Sequence, residues 1–280
     1  MPNTSPPFDL ARLDAAIAAT QFAGHVTHLA TTLSTNDLAL KAALAGARRG
    51  VWIADHQLAG RGRGGHAWHS PARTGLYMTA LAAPPIPIQA AQSLSLRVAI
   101  AAQSGIASTF GFTRPSQIDI RWPNDLILNG KKCGGILIDT ASNPATLAAP
   151  ATLRYAIVGI GINLNHTAFP PELDAIATSL RRESPQPAAP IPREPLAAAI
   201  LRCLDAEIRT LSTDHLPLTT DHLSLYSTWI TGKRVRVEPR DHDPAGYTGT
   251  TAGLDPLGFL IVAGDDGQLH TVLSGGLREL

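Results

Sequence analysis

The sequence predicts an α/β fold that ends in a small all-β module. Patterns typical of helices and strands alternate from about residue 8 to residue 230. From Lys233 onward only short strand patterns remain, separated by turn signals such as Asp255-Pro256-Leu257-Gly258. The 280 residues suffice for a large and a small domain. We therefore expect a large α/β domain over 1–231 and a β domain over 232–280.

Composition narrows the classes of function. The 23 basic and 22 acidic residues nearly cancel, which argues against a protein that binds nucleic acid. The chain has neither a secretory signal nor an apolar run long enough for a membrane span. Cys133 and Cys203 lack the spacing of a metal or redox motif, so we expect reduced thiols in the cytoplasm.

The first elements follow from periodicity and capping signals. An amphipathic pattern over 8–20 predicts a short helix. Ser34 and Asp37 predict a capping-box start for a second helix, and Gly50 is expected to stop it. The apolar residues of 51–57 and the alternation over 74–83 predict two strands on either side of a glycine-rich loop.

Later elements follow the same rules. Apolar spacing predicts helices at 94–108 and 196–211, and 223–230 closes the large domain. Asn129-Gly130, between apolar runs in 118–139, is a strong signal for a β-hairpin. We expect two or three strands there and a buried strand over 153–165. The proline-rich stretch Glu183–Pro195 predicts an extended connector.

The loop "GRGRGGHAWHS" over 60–70 satisfies G-x-G-x-x-G but fails the context that a dinucleotide site requires. That site needs a helix directly after the glycines, and here Pro71 and Gly75 lead into a strand. A flexible surface loop is one alternative. We favour a loop that is mobile without ligand and closes over an anion, since glycines permit motion and Arg61 and Arg63 offer bidentate donors.

Four segments together resemble the biotin protein ligases: "STN" at 34–36, the loop at 60–70, "RWPNDLILNGKKCGGIL" at 121–137 and "VGIGINLN" at 158–165. The resemblance implies a mixed-sheet catalytic domain like that of class II aminoacyl-tRNA synthetases and lipoate ligases, with an SH3-like β-barrel after it. It also implies an ATP-dependent reaction through biotinyl-5'-AMP that attaches biotin to a lysine of a biotin carboxyl carrier protein.

The resemblance carries residue roles onto matching positions. It implies that biotin binds to Ser34, Thr35, Asn36, Gln57, Arg61, Gly62, Arg63, Lys132 and Gly135. It implies that ATP binds to Arg61, Arg63, Trp68, Asn124 and Asn163. Catalysis would use Arg61, Arg63, Lys132 and Asp125, and Asp125 would also bind Mg²⁺.

The chemistry asks for these residue types independently. A carboxylate that attacks an α-phosphate needs preplaced positive charge, whereas the neutral ureido ring of biotin needs hydroxyls and amides. Simpler explanations remain for single residues. Ser34 can be a helix cap, Asp125 can start a turn, Lys132 can be a charge at a hairpin edge, and the glycines of 158–165 can serve packing alone.

Three positions depart from the family pattern. Arg121 stands where lysine is usual, and Gly64 and His66 stand where many relatives have arginine. About thirty residues precede Ser34, so we expect a ligase without the DNA-binding domain of some family members. A monomer or a homodimer is expected. The alternatives are a lipoate or octanoate ligase and a non-enzymatic biotin-sensing regulator.

Overall fold

A computed structural model describes residues 5–146, 150–184, 190–214, 218–238, 246–273 and 276–280. The helices of this part of the chain are α1 Leu10–Ala16, α2 Thr35–Leu44, α3 Leu94–Phe110, α4 Pro171–Asp174, α5 Leu180–Glu183, α6 Glu194–Asp214 and α7 Thr220–Ser224. Its strands are β1 Val26–Thr32, β2 Gly50–Gln57, β3 Gly75–Ala82, β4 Ile118–Arg121, β5 Asp125–Leu128, β6 Lys131–Asn143, β7 Thr152–Asn163, β8 Thr231–Val237, β9 Tyr247–Leu254, β10 Leu260–Gly264, β11 Leu269–Val272 and β12 Leu277–Glu279.

The large sheet is mixed, as the resemblance implied. Its seven strands run in the order β1-β2-β3-β7-β6-β5-β4. The β1–β2 pair is parallel, and each further pair is antiparallel. Helices α3 and α6 pack together on the apolar core of one face, and α2 packs against β2, β3 and β7 on a second, smaller core. All eight residues of the central strand β3 are buried.

The helix predicted over 34–50 is shorter than expected. It begins after Ser34 and ends at Leu44, so the prediction that Gly50 stops it was wrong. Gly46 lies in the left-handed region at φ +101° and ends the helix turn, whereas Gly50 begins β2. The expected capping box is also wrong, because the Ser34 side chain makes no capping hydrogen bond.

The hairpin prediction is confirmed. Asn129 and Gly130 both have positive φ, 48° and 82°, which matches a two-residue turn of type I′. The range 118–139 holds β4, β5 and the start of β6. The connector expected over 183–195 has its residues 185–189 outside the described part of the chain, and α6 begins within it at Glu194.

A five-stranded antiparallel sheet of order β11-β10-β9-β8-β12 forms the carboxyl end. This confirms the small β module, whose first strand begins at Thr231. Among the described helices, none is both long and apolar enough to cross a membrane.

Candidate functional site

A cavity of about 560 Å³ opens beside the large sheet, on the side of α2. This volume lies within the range of small-molecule sites. The segments that line it come from every region that the sequence singled out. They are the start of α2, the end of β2, the glycine loop, the β4–β5 turn, the start of β6, the middle of β7 and the end of the C-terminal sheet.

One end of the cavity presents neutral hydrogen-bonding groups. The backbone N–H and the hydroxyl of Thr35 donate to Gln57 Oε1 at 2.9 and 3.1 Å. Gln57 Nε2 in turn donates to Ser70 Oγ at 3.1 Å. Asn36 is only 5% exposed, and its Nδ2 has no hydrogen-bond partner. A buried N–H group without a partner is costly, so this donor is poised for a ligand acceptor.

Thr79 orients this neutral end from beneath. It is fully buried on β3, with its Oγ1 2.6 Å from Asn36 Oδ1 and 2.7 Å from Thr35 Oγ1. Because Asn36 Oδ1 is engaged, Asn36 Nδ2 is the part of the amide left for a ligand. Sequence reasoning missed Thr79; a threonine in an otherwise apolar buried strand was the available signal.

The Trp68 ring packs against the backbone of two glycines in the middle of the sheet, Gly135 and Gly161. A Cβ atom added to Gly161 would lie 2.5 Å from Trp68 Nε1, and one added to Gly135 would lie 3.2 Å from the same ring. Side chains at these positions would therefore displace the indole. The indole N–H is buried without a hydrogen-bond partner. The glycines of β6 and β7 thus serve the site as well as packing.

The cavity lining also carries an excess of basic residues. Among the described lining residues, two are acidic, Asp125 and Glu238, and five are basic: Arg61, Arg63, Arg121, Lys132 and Arg278. Such an excess of positive charge in a concave site favours anionic ligands. The sequence predicted the charge of the loop and of Lys132, but not that of Arg278.

Asp125 holds two of these cations. Its Oδ1 accepts from Lys132 Nζ at 2.5 Å, and its Oδ2 accepts from Arg121 Nη2 at 2.6 Å and Nε at 3.2 Å. Burial alone would raise the pKa of Asp125, but Lys132 and Arg121 outweigh it and hold that pKa below its usual value. The carboxylate therefore stays ionised and fixes both cations at the cavity wall.

The backbone of Lys132 is fixed separately by the segment after β7. Lys132 N–H donates to Ile176 O at 2.9 Å, and Thr178 N–H donates to Lys132 O at 2.9 Å. These two bonds add the segment to the edge of β6 as a short parallel bridge to Ala177. The ammonium lies 5.5 Å from the Trp68 ring, within reach of a cation–π interaction.

The glycine loop is a tight hairpin in the structure. Trp68 N–H donates to Gly60 O at 2.8 Å, and Gly62 N–H donates to His66 O at 2.7 Å. Gly64 and Gly65, both with positive φ, form its tip. As predicted, no dinucleotide-site helix follows; the chain enters β3.

The side chains of two predicted site residues, Asn124 and Asn163, donate hydrogen bonds to backbone carbonyl oxygens. Asn124 lines the cavity, with its Nδ2 donating to Ile136 O at 2.6 Å. Asn163 lies off the cavity lining, where it is buried and donates to Thr178 O at 3.1 Å. Its Nδ2 also lies 3.5 Å from the backbone oxygen of Lys132, so Asn163 contacts a sequence-predicted residue from outside the cavity lining.

The C-terminal sheet completes the wall. Glu238 follows β8, Arg278 lies on β12, and the two side chains form an ion pair at the cavity edge. Periodicity and turn signals had marked these residues only as parts of a β module. Their place at the site depends on how the sheet packs against the large domain.

Among the described residues, Asp125, the residue expected to bind Mg²⁺, lies in no cluster of carboxylates that could hold a metal ion by protein groups alone. Both oxygens of Asp125 accept hydrogen bonds from cations. Glu238 is paired with Arg278. No group of three or more histidine, cysteine, aspartate or glutamate residues suited to a metal occurs in the described ranges. Mg²⁺ is usually held by one or two carboxylates together with substrate phosphates, and Asp125 as arranged anchors Lys132 and Arg121.

Comparison with known proteins agrees with this geometry. Residues 30–163 match the biotin/lipoate A/B protein ligase family, and residues 230–275 match the biotin protein ligase C-terminal domain. The biotin–[acetyl-CoA-carboxylase] ligase of Mycobacterium tuberculosis is 34% identical over 254 residues, which cover 89% of this chain and 86% of that protein. The fold and site thus define a member of the biotin/lipoate ligases. Within that class, the chain belongs to the biotin protein ligases.

Two further relatives show how much of the chain is similar in sequence and in fold. The bifunctional ligase/repressor BirA of Bacillus spizizenii is 34% identical over 217 residues, and the matched part covers 77% of this chain but 62% of that relative's length. The biotin protein ligase of Aquifex aeolicus, solved with biotin and ATP, has the same fold. It is 22% identical, with a TM-score of 0.70 over 92% of this chain and 100% of that one.

Proposed function

We propose that this protein ligates biotin to a lysine of a biotin carboxyl carrier protein in an ATP-dependent reaction through biotinyl-5'-AMP. The observation that carries the proposal is the polarity of one cavity. Neutral donors and acceptors around Asn36 and Gln57 line the same cavity as the cations around Lys132. Biotin has the matching polarity, with a neutral ureido ring at one end and a carboxylate at the other.

Residue roles follow from this orientation. Ser34, Thr35, Asn36 and Gln57 bind the ureido ring, since hydroxyl and amide groups can satisfy its N–H and C=O groups without adding charge. Gly62 and Gly135 allow close approach of the backbone to the ligand. Trp68 packs against the adenine, and Asn124 borders the nucleotide.

The first step joins two anions. A carboxylate oxygen of biotin attacks the α-phosphorus of ATP, the bond from that phosphorus to the bridging oxygen breaks, and pyrophosphate leaves. Arg63 and Lys132 neutralise the charge that accumulates on the phosphoryl oxygens. Asp125 positions Lys132 and Arg121 for this task and keeps both from turning into solvent.

The second step needs only the activated acyl group and an amine. The neutral ε-amino group of the carrier lysine attacks the acyl carbon, an amide bond forms, the bond to the phosphate oxygen breaks, and AMP leaves with the amine proton passing to solvent. Mg²⁺ would enter as the ion that accompanies ATP. We expect a cytoplasmic enzyme that acts on a carboxylase carrier domain.

Intact mass of a carrier domain tests the proposal. The protein is incubated with the carrier, ATP, Mg²⁺ and either biotin or lipoate, and we expect a biotinyl adduct only with biotin. An unmodified carrier in the biotin reaction would refute the proposal, and lipoylation would favour the alternative ligase.

Two adjacent lysines give a matched pair of variants. Lys132→Met removes a cation from the cavity, and we expect the rate of biotinyl-adenylate formation to fall about a hundredfold or more, because a preplaced charge commonly contributes that much. Lys131→Met removes a cation that points away to Asp174 O, and it should leave the rate within about twofold. Equal effects of the two changes would contradict the role given to Lys132.

A further inference from the structure

The two arginines of the glycine loop have different surroundings. Arg63 lines the cavity at the loop tip. Arg61 also borders the cavity, but its Nη2 lies 2.5 Å from Asp37 Oδ1, and both side chains are 49% exposed. Asp37 lies in the first turn of α2, directly after the Ser34–Asn36 segment. One ion pair therefore joins the loop to the helix that carries the neutral end of the site.

The backbone of Arg61 is also engaged. It forms an antiparallel bridge with Ala67 on the returning arm of the hairpin. Beyond that bridge the arm reaches Trp68 and then Ser70, whose hydroxyl accepts from Gln57. The ion pair that fixes Arg61 therefore also restrains the returning arm of the loop, through the backbone bridge to Ala67.

We infer that Asp37 and Arg61 form a strut that holds the loop against α2 before any ligand arrives, so that Arg61 is a positioning residue. An arginine committed to a carboxylate on its own protein adds no net charge to the ligand site, because the aspartate cancels it.

The first test uses trypsin on the ligand-free protein and therefore does not depend on the proposed function. Cleavage after Arg63 reports opening of the loop. Asp37→Asn should raise that cleavage rate about two- to fivefold, the range that an exposed ion pair supports. The matched control is Asp265→Asn, which breaks the Arg234–Asp265 pair in the C-terminal sheet, with side chains 48% and 49% exposed. The control should leave cleavage after Arg63 unchanged; an equal rate in Asp37→Asn and wild type would overturn the strut.

The second test exchanges the charges and rests on the proposed function, since its readout is biotin affinity by calorimetry. Arg61→Asp alone places two acids together and should weaken biotin binding about threefold or more. The double variant Asp37→Arg/Arg61→Asp rebuilds the pair in reverse, and it should return both the cleavage rate and the biotin affinity to within about twofold of wild type. If the double variant regains protection but binds biotin as weakly as Arg61→Asp, then Arg61 acts on the ligand by its charge and the assignment is wrong.

Discussion

At the scale of the residue, the orientation of two cavity side chains, Asn36 and Lys132, is set by hydrogen bonds to neighbouring side chains. Asn36 presents its amide N–H because Thr79 engages its oxygen. Lys132 points along the cavity wall because Asp125 accepts from its ammonium. In each case one side chain fixes the orientation of its neighbour at the cavity.

Thr79→Val tests this dependence. The substitution keeps the shape and burial of the side chain but leaves Asn36 Oδ1 without its bond at 2.6 Å, so the amide is free to rotate. Loss of one buried hydrogen bond with an unpaired partner costs about 1–3 kcal/mol. We expect KM for biotin to rise about tenfold, with KM for ATP nearly unchanged.

Steady-state kinetics and a conservative variant complete that experiment. Thr79→Ser retains the hydroxyl and should restore KM for biotin to near the wild-type value. A parallel rise in both KM values would instead indicate general loosening of β3.

At the scale of the element, strands β6 and β7 carry glycine where the site needs room. Gly135 and Gly161 leave space for the Trp68 ring, and Gly159 leaves space for the Asn36 side chain. Glycine in a strand interior normally weakens the strand. Here the sheet remains well anchored, because β7 pairs along its length with both β3 and β6.

Gly161→Ala should displace the Trp68 ring. The added Cβ would lie 2.5 Å from Trp68 Nε1, closer than van der Waals contact allows. Overpacking of this kind costs about 1–3 kcal/mol, so we expect a lower midpoint in urea denaturation and weaker nucleotide binding. Adding Trp68→Ala removes the colliding ring.

The double variant provides the check on that prediction. Its midpoint should be higher than the sum of the two single changes predicts, because the clash exists only when both groups are present. Strict additivity would show that Gly161 and Trp68 do not meet.

At the scale of the whole molecule, the site is assembled by parts of the chain far apart in sequence. The end of β7 continues into His166, a buried residue whose ring stacks on Phe169 at 5.0 Å and whose Nε2 lies 3.2 Å from Thr74 Oγ1. Thr74 leads the glycine loop into β3. His166 therefore ties two distant segments together behind the cavity.

Stability should depend on pH through His166. Burial, and to a lesser degree the nearby His69, lower the pKa of His166 from 6.5 to about 4. The unfolded chain then binds more protons than the native state between these values, so stability is complete above about pH 6.5 and is lost as the pH falls towards 4. The loss amounts to at most about 3 kcal/mol.

Urea denaturation across this pH range measures the effect. His166→Phe keeps an aromatic ring beside Phe169 and removes the titrating group. Its free energy of unfolding should fall less on acidification than that of the wild type. Parallel curves for the two proteins would exclude His166 as the source of the pH dependence.

Much of the architecture could be predicted because its signals are local. Asn129-Gly130 predicts its hairpin from the φ angles that the turn requires, and Pro71 and Gly75 rule out the helix of a dinucleotide site within a few residues. Element ends were less accurate: Gly46, not Gly50, ends the turn after α2, because either glycine can adopt a positive φ and only the packed strand β2 decides between them.

The sequence by itself determined the chemical types at the site, namely neutral hydroxyls and amides in one segment and basic residues in glycine-rich loops, since residue type and spacing are local properties. Only the tertiary structure decided how those groups are used. It paired Arg61 with Asp37, gave Asp125 two cations instead of a free carboxylate, placed Asn163 off the cavity and brought Arg278 to its edge. Each outcome depends on which side chains meet across strands and between domains, and no local pattern contains that information.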